Sequence, residues 1–330
     1  MLRVVIVGNG EMASSLLLGT KEAGHDVVGI FRGERRELHP FLLFFKDLFA
    51  PTDFYMMAKS KKIHDIKAKS VNSEEFRKEL RRLKADVVIV GTWGQKFSQK
   101  TIITPKLGTI NCHPSMLPAH RGPNPYMSVL SKGEEKTGIT FHLMDAHFDT
   151  GAIMHQKEVP VLFTDDGYTL KLRCVKTARE ELKTLLDKME QGSIVPIPQD
   201  ETLASYYKRI TPKDIYIDFS MSPQDIYNKI RGFRPWAFCY LKVRNQFLQI
   251  NHAQIINLSQ TSFMVKNKKY RMPDLYYSEK AGRVLAKGKD WLLCSTIDSE
   301  HAILLYDVKL YGFCKGILTK HFIKQLRFIK

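Results

Sequence analysis

The sequence predicts an α/β protein in two parts: an open, mainly parallel, Rossmann-like sheet with helices on both faces, then a smaller β-rich domain of the OB-like barrel type. Three observations predict it. Up to residue 205, wholly apolar runs alternate with helix-patterned segments, and such runs are what strands buried on both faces look like. A Gly-Asn-Gly turn joins the first run to the first helix, as at the βα junctions of such sheets. From residue 206 the apolar runs become short and alternating, as in a small barrel.

The elements follow in order. Leu2 to Val7 reads as a buried strand, and Gly8-Asn9-Gly10 turns it into a helix from Glu11 to Ala23. Asp26 to Phe31 is a second strand. HPFLLFFKDLF, within the apolar segment 38–57, reads as a helix, and the basic KSKKIHDIKAKS after it as loop with a short strand. Asn72 or Ser73 can cap the charged helix EEFRKELRRLK, which feeds the strand ADVVIV. Past Trp93-Gly94 come a short helix, a strand from Gly108 to Cys112, a Pro-rich loop and a helix near Pro125 to Leu130. Strands at 137–143 and 153–159 precede a long helix from Asp166 to Gln191. Val195 to Glu201 reads as a connector between a 1–205 domain and a 206–330 domain. A helix starting at Ser222-Pro223 then leads into FLQINHAQII, SFMVKN, RVLAKG, WLLCSTI and AILLYDVKLYG, each a candidate strand.

Composition excludes several classes. A length of 330 residues suits two domains at roughly 150 residues each. With 44% hydrophobic and 26% charged residues the chain is neither disordered nor a membrane bundle. No apolar run approaches the roughly 18 residues that span a bilayer. The start of the chain lacks the pattern of a signal peptide, so a cytoplasmic protein is expected. Five cysteines without paired spacing fit free thiols and a reducing compartment.

Charge is unevenly placed. The net charge is +17, and residues 206–330 hold 22 basic and 9 acidic side chains, or +13 of it. A basic domain appended to a near-neutral one is the footprint of a polyanion partner such as RNA.

Two loci carry candidate chemistry. Gly8-Asn9-Gly10-Glu11-Met12-Ala13 satisfies half of a dinucleotide fingerprint, but strand two ends in Phe31-Arg32, which leaves only an NADP form; a tight turn and close helix–sheet packing explain the glycines better. The second locus is Asn111-Cys-His113-Pro-Ser115, at the carboxyl end of a central strand where α/β sheets place ligands, with Arg121 in the following loop. About 35 residues on, Asp145-Ala-His147-Phe-Asp149-Thr-Gly151 returns a carboxylate toward the same edge. An amide, an imidazole and a carboxylate together meet the needs of acyl transfer. Strand alternation turns Cys112 away from its neighbours, and His142 and His147 fall on opposite faces, against a metal site.

Asn-x-His-Pro-Ser-x-Leu-Pro-x-x-Arg-Gly followed by Asp-Thr-Gly resembles the signature of the 10-formyltetrahydrofolate-dependent formyltransferases. The resemblance covers residues 85–160 closely and 1–205 in outline, and implies the formyltransferase fold. It implies Asn111, His113 and Asp149 as the catalytic trio and 10-formyltetrahydrofolate as co-substrate. It also implies folate contacts from Trp93, Gly94, Gln95, Asp145 and His147, with no metal. Arg121 and Ser115 are candidate substrate contacts, Arg121 equally a loop anchor.

Two subfamilies append a small β-rich domain, those formylating methionyl-tRNA and those formylating nucleotide-linked amino sugars. Arg231-Gly-Phe-Arg-Pro-Trp236 resembles the segment opening the C-terminal domain of the tRNA enzymes, which makes tRNA the first expectation and Lys266, Lys268 and Lys269 its candidate contacts. The greasy 38–57 segment departs from their polar, basic loop. An NADP-dependent oxidoreductase and a non-enzymatic RNA-binding module are the alternatives of other classes.

Overall fold

The computed structural model describes residues 1–32, 54–243, 246–273, 281–310 and 323. The helix expected in HPFLLFFKDLF and the fifth cysteine, Cys314, lie outside the described residues. The described chain divides into two compact units. The first comprises residues 1–125, 136–160 and 171–207; the second comprises 126–135, 161–170 and 208–330, so it also takes in two short pieces of earlier chain.

In the first unit six strands form one sheet: β1 (Arg3–Gly8), β2 (Asp26–Phe31), β3 (Val87–Gly91), β4 (Thr109–His113), β5 (Lys136–Leu143) and β6 (Ile153–Pro160), in the order β2-β1-β3-β4-β5-β6. The first four run parallel; β5 is antiparallel to β4 and β6 antiparallel to β5. Their apolar runs are buried on both faces, as a sheet sandwiched by helices requires. One face packs Val5, Val7, Val88 and Val90 against Phe76 and Leu80 of a helix at Glu74–Arg82. Ser73 starts that helix by accepting the Phe76 N–H on its hydroxyl. Burying Phe76 and Leu80 contributes about 1.5–3 kcal/mol each.

The opposite face carries α1 (Gly10–Glu22), which buries Met12, Ala13, Leu16 and Leu17. Ser15 Oγ donates to the Val175 carbonyl of a helix at Gly167–Glu190. The glycine turn answers a packing need: a Cβ on Gly8 would stand 1.9 Å from the Gly91 carbonyl oxygen, and Gly8 has φ 154°. Arg32 is tied to Asp65 at 3.0 Å and lies over the Tyr55 ring, so the residue expected to serve an NADP site is otherwise engaged. After the undescribed stretch the chain forms α2 (Phe54–Ser60), whose last two residues open the basic segment read as loop; Phe54 and Ala58, four apart, bury one helical face. The short strand expected next is a single bridge, Ile30 to Asp65.

The second unit is β-rich. A helix at Pro223–Phe233, capped by the Ser222 hydroxyl on the Asp225 N–H, drives Ile226, Ile230 and Phe233 into a core with Leu241, Leu248, Leu292 and Ile303. Four strands, β9 (His252–Asn257), β12 (Val284–Lys287), β13 (Trp291–Ser295) and β14 (His301–Tyr306), pair as β12-β13-β14-β9. Three more, β7 (Cys239–Val243), β8 (Gln246–Ile250) and β15 (Lys309–Leu310), pair as β15-β8-β7, and β10 (Ser262–Val265) with β11 (Lys268–Arg271) forms a hairpin. FLQINHAQII and AILLYDVKLYG, each read as one strand, are both two strands in different sheets. They break at Asn251 and Asp307, whose side chains join by a 2.7 Å hydrogen bond, so both runs change sheets at one corner. Among the described residues no helix is long and apolar enough to cross a membrane.

Candidate active site

Strand register builds the site. Pairing of β4 with β5 sets Asn111 opposite His142 and His113 opposite Thr140. The two-residue period then puts Asn111 and His113 on one face and sends Cys112 to the other, where its thiol meets Met12 at 3.8 Å and burial pushes its pKa up.

His142 Nδ1 lies 2.9 Å from the Leu143 carbonyl oxygen, which can only accept, so that nitrogen carries the proton. Nε2 then has a lone pair, and the Asn111 amide donates to it at 3.1 Å. Burial, reinforced by neighbouring His113, lowers the His142 pKa to about 4, so the ring is neutral near pH 7. The second Asn111 N–H is 3.5 Å from Asp149 Oδ1, a long contact that leaves it free to serve an incoming acceptor.

Asp149 holds a left-handed backbone, φ 59°, in the loop after β5. Its Oδ2 accepts the Gly122 N–H at 3.0 Å, while Oδ1 faces His113 Nδ1 at 3.4 Å and His142 Nε2 at 3.8 Å. The other His113 nitrogen, Nε2, donates to the His120 carbonyl at 3.0 Å. His113, His142 and Asp149 are all buried. Gly151 lets the loop close, because a Cβ there would stand 1.8 Å from the Leu143 carbonyl oxygen. An amide donor, an imidazole and a carboxylate thus converge in one buried cluster, an arrangement suited to stabilising negative charge on a carbonyl oxygen and moving a proton.

The other expected residues fall in distinct places. Trp93 packs on Phe31 at 5.6 Å, and its indole Nε1 is buried with no hydrogen-bond partner among the described residues. Gly94 has open space where a side chain would be, and Gln95 donates to Ser70 Oγ at 2.9 Å. Asp145 accepts from the His147 N–H at 2.8 Å and from Thr150 Oγ1 at 2.8 Å, shaping its own loop, with His147 exposed. Lys96 Nζ lies 5.8 Å from the Phe148 ring centroid, which sets the loops after β3 and β5 side by side. Ser115 is wholly buried and donates to the Ala119 carbonyl at 2.7 Å. Arg121 is also buried, its guanidinium taken up by Gln199 and Glu201 at 2.7 Å. Among the described residues no group of three or more His, Cys, Asp or Glu is arranged to hold a metal ion.

In the second unit Lys266 sits at the tip of the β10–β11 hairpin and pairs with Asp290. Lys268 and Lys269 are exposed on β11, and Lys269 shares a face with Met264 and Arg271.

Residues 2–186 match the sequence profile described as formyl transferase, and residues 209–312 that of the formyl transferase C-terminal domain. The chain belongs to the formyl transferase family. This formyl transferase is 34% identical over 248 residues to the methionyl-tRNA formyltransferase of Thermotoga maritima, spanning 73% of its own length and 76% of the relative's. It is 30% identical over 323 residues to that of Caldanaerobacter subterraneus, spanning 98% and 96%. In fold it is similar to WlaRD, a sugar 3N-formyl transferase solved in the presence of dTDP and 5-N-formyl-THF, with a TM-score of 0.65, 17% identity and coverage of 95% and 99%. The methionyl-tRNA formyltransferase of Clostridium thermocellum gives a TM-score of 0.52 at 14% identity, covering 82% and 97%.

Three participants escaped sequence reasoning. His142 was legible only as a weak metal candidate, Gln199 lay in a connector, and the Gly122 N–H has no side chain to notice. Only the pairing of β4 with β5 and the path of the connector bring them to this cluster.

Proposed function

We propose that this formyl transferase moves a formyl group from 10-formyltetrahydrofolate to the α-amino group of methionyl-tRNA, in the cytoplasm. The observation that carries the acceptor is the 30% identity to a methionyl-tRNA formyltransferase, which runs over 98% of the chain and so includes the basic C-terminal part. The site residues fit a folate: a pteridine edge carries amide-like acceptors, and the Trp93 indole N–H is a buried donor lacking a partner among the described residues. Open space at Gly94 and the adjacent 145–149 loop leave backbone groups to meet such an edge.

The folate supplies the formyl group. Asn111 donates its long-contacted amide N–H to the formyl oxygen as negative charge develops there, with His142 holding the other N–H. His113, braced through Nε2 by the His120 carbonyl, turns Nδ1 toward Asp149 Oδ1 and is placed to pass a proton between the reacting groups and that carboxylate. On the second unit, Lys268, Lys269 and Arg271 are exposed cations suited to phosphates, whereas Lys266 is already paired with Asp290.

The test is formyl transfer from 10-formyltetrahydrofolate to charged initiator methionyl-tRNA, beside a panel of nucleotide-linked amino sugars. Transfer to the tRNA alone is expected. Transfer to a sugar alone replaces the acceptor and leaves the chemistry standing.

A further inference from the structure

Arg121 and Asp149 both depend on a stretch of chain lying outside the matched N-terminal profile, which ends at residue 186. The stretch 199–207 runs beside the loop 118–122: the Arg121 N–H donates to Ser205 O at 2.8 Å, the Tyr207 N–H donates to Arg121 O at 2.8 Å, and the His120 N–H donates to Ser205 Oγ at 2.9 Å. Gly122 lies so close that a Cβ would stand 2.4 Å from the Tyr207 carbonyl oxygen. The N–H of that same Gly122 binds the Asp149 carboxylate.

Gln199 completes the arrangement. Its amide nitrogen donates to the carbonyls of Asp149, at 2.9 Å, and Gly151, at 2.8 Å. Both N–H groups are therefore spent on the backbone of the turn that presents the carboxylate. Its oxygen accepts two N–H groups of Arg121, at 2.7 and 3.2 Å, and Arg121 turns its remaining fork to Glu201 at 2.7 and 2.8 Å. The amide cannot flip without facing a carbonyl with its own oxygen and a guanidinium with its own nitrogen. Asp149 is a non-glycine residue in the left-handed region, a conformation that persists where the surroundings over-determine it.

We infer that Gln199, locked by Arg121, is a positioning residue that holds the Asp149 turn and thereby sets the carboxylate against His113 and Asn111. The inference rests on the catalytic reading of Asp149 given above. Arg121 acts at one remove as the lock, and the connector from 199 to 207 is part of the catalytic unit. A misplacement of about 1 Å at a reacting group can cost about a hundredfold in rate.

The experiment uses the full-length enzyme. Gln199→Glu keeps the shape but sets a carboxylate against two carbonyls; Gln199→Asn keeps the amide but cannot span both. Active sites are counted by stoichiometric binding of 5-formyltetrahydrofolate, so kcat is expressed per competent site and loss of folded protein is divided out. Gln199→Glu is expected to lower kcat per site tenfold to a hundredfold, with the KM for the formyl donor within twofold of the parent. Gln199→Asn is expected to fall between, and it carries the test if the Glu variant does not fold. Asp149→Ala serves as the reference. If Asp149→Ala loses turnover while both Gln199 variants keep kcat within twofold, the positioning role is overturned; if Asp149→Ala keeps its turnover, the catalytic reading itself fails.

Discussion

The Asn111 amide nitrogen is held 3.1 Å from His142 Nε2 by an imidazole whose other nitrogen is committed to the Leu143 carbonyl. A buried neutral histidine thus fixes the orientation of the Asn111 amide. His142→Ala removes the acceptor and frees the amide to rotate. We expect kcat to fall about tenfold to a hundredfold with little change in donor affinity, and His142→Gln to recover part of the loss, measured as steady-state formyl transfer.

Acid destabilisation follows from the same ring. Burial holds the folded His142 pKa at about 4, below the ordinary 6.5 of an unfolded histidine. The unfolded chain then binds the extra proton first, so stability is full above about pH 6.5 and declines as pH falls toward 4, by on the order of 3 kcal/mol from this group. Buried His25, which accepts the Leu2 N–H on Nδ1, is lowered by burial in the same direction. Urea unfolding at pH 7.5 and pH 5 measures the decline, and a His142→Gln variant should show a shallower one.

Loss of the amide donor should be direct. Asn111→Ala is expected to lower kcat 100-fold to 1000-fold, the usual cost of one oxyanion donor, without loss of folded protein. Single-turnover transfer at saturating donor is the measurement, and unchanged turnover refutes the assigned role.

Gly151→Ala puts a Cβ 1.8 Å from the Leu143 carbonyl oxygen, a backbone atom that cannot swing aside. We expect a loss of about 3 kcal/mol or more in thermal or chemical unfolding, accompanied by loss of activity, since the shifted turn carries Asp149.

The hairpin cations should separate by partner. Lys269→Ala and Arg271→Ala are expected to weaken tRNA binding and to reduce the slope of log K against log salt by about one each. Lys266→Ala, whose charge is already met by Asp290, should leave that slope unchanged. Filter binding from 50 to 300 mM salt distinguishes the three.

What the sequence by itself determined is what local pattern can encode. Apolar runs such as Val87–Gly91 announce strands covered on both faces, Ser73 and Ser222 announce helix starts, and the two-residue period places Asn111 with His113 and turns Cys112 away. The formyl transferase motifs are local too, which is why the family was legible. Tertiary structure decided which partners meet. Strand pairing is non-local and leaves no periodic mark, so nothing in the chain announced that His142 would lie beside Asn111 or that Gln199, fifty residues beyond Asp149, would return to hold its turn. Likewise a run of alternating residues does not say where it changes sheets; Asn251 and Asp307 do so only because each finds the other. Charge follows the same rule, since Lys266 and Lys269 look alike in sequence and only folding brings Asp290 to the first.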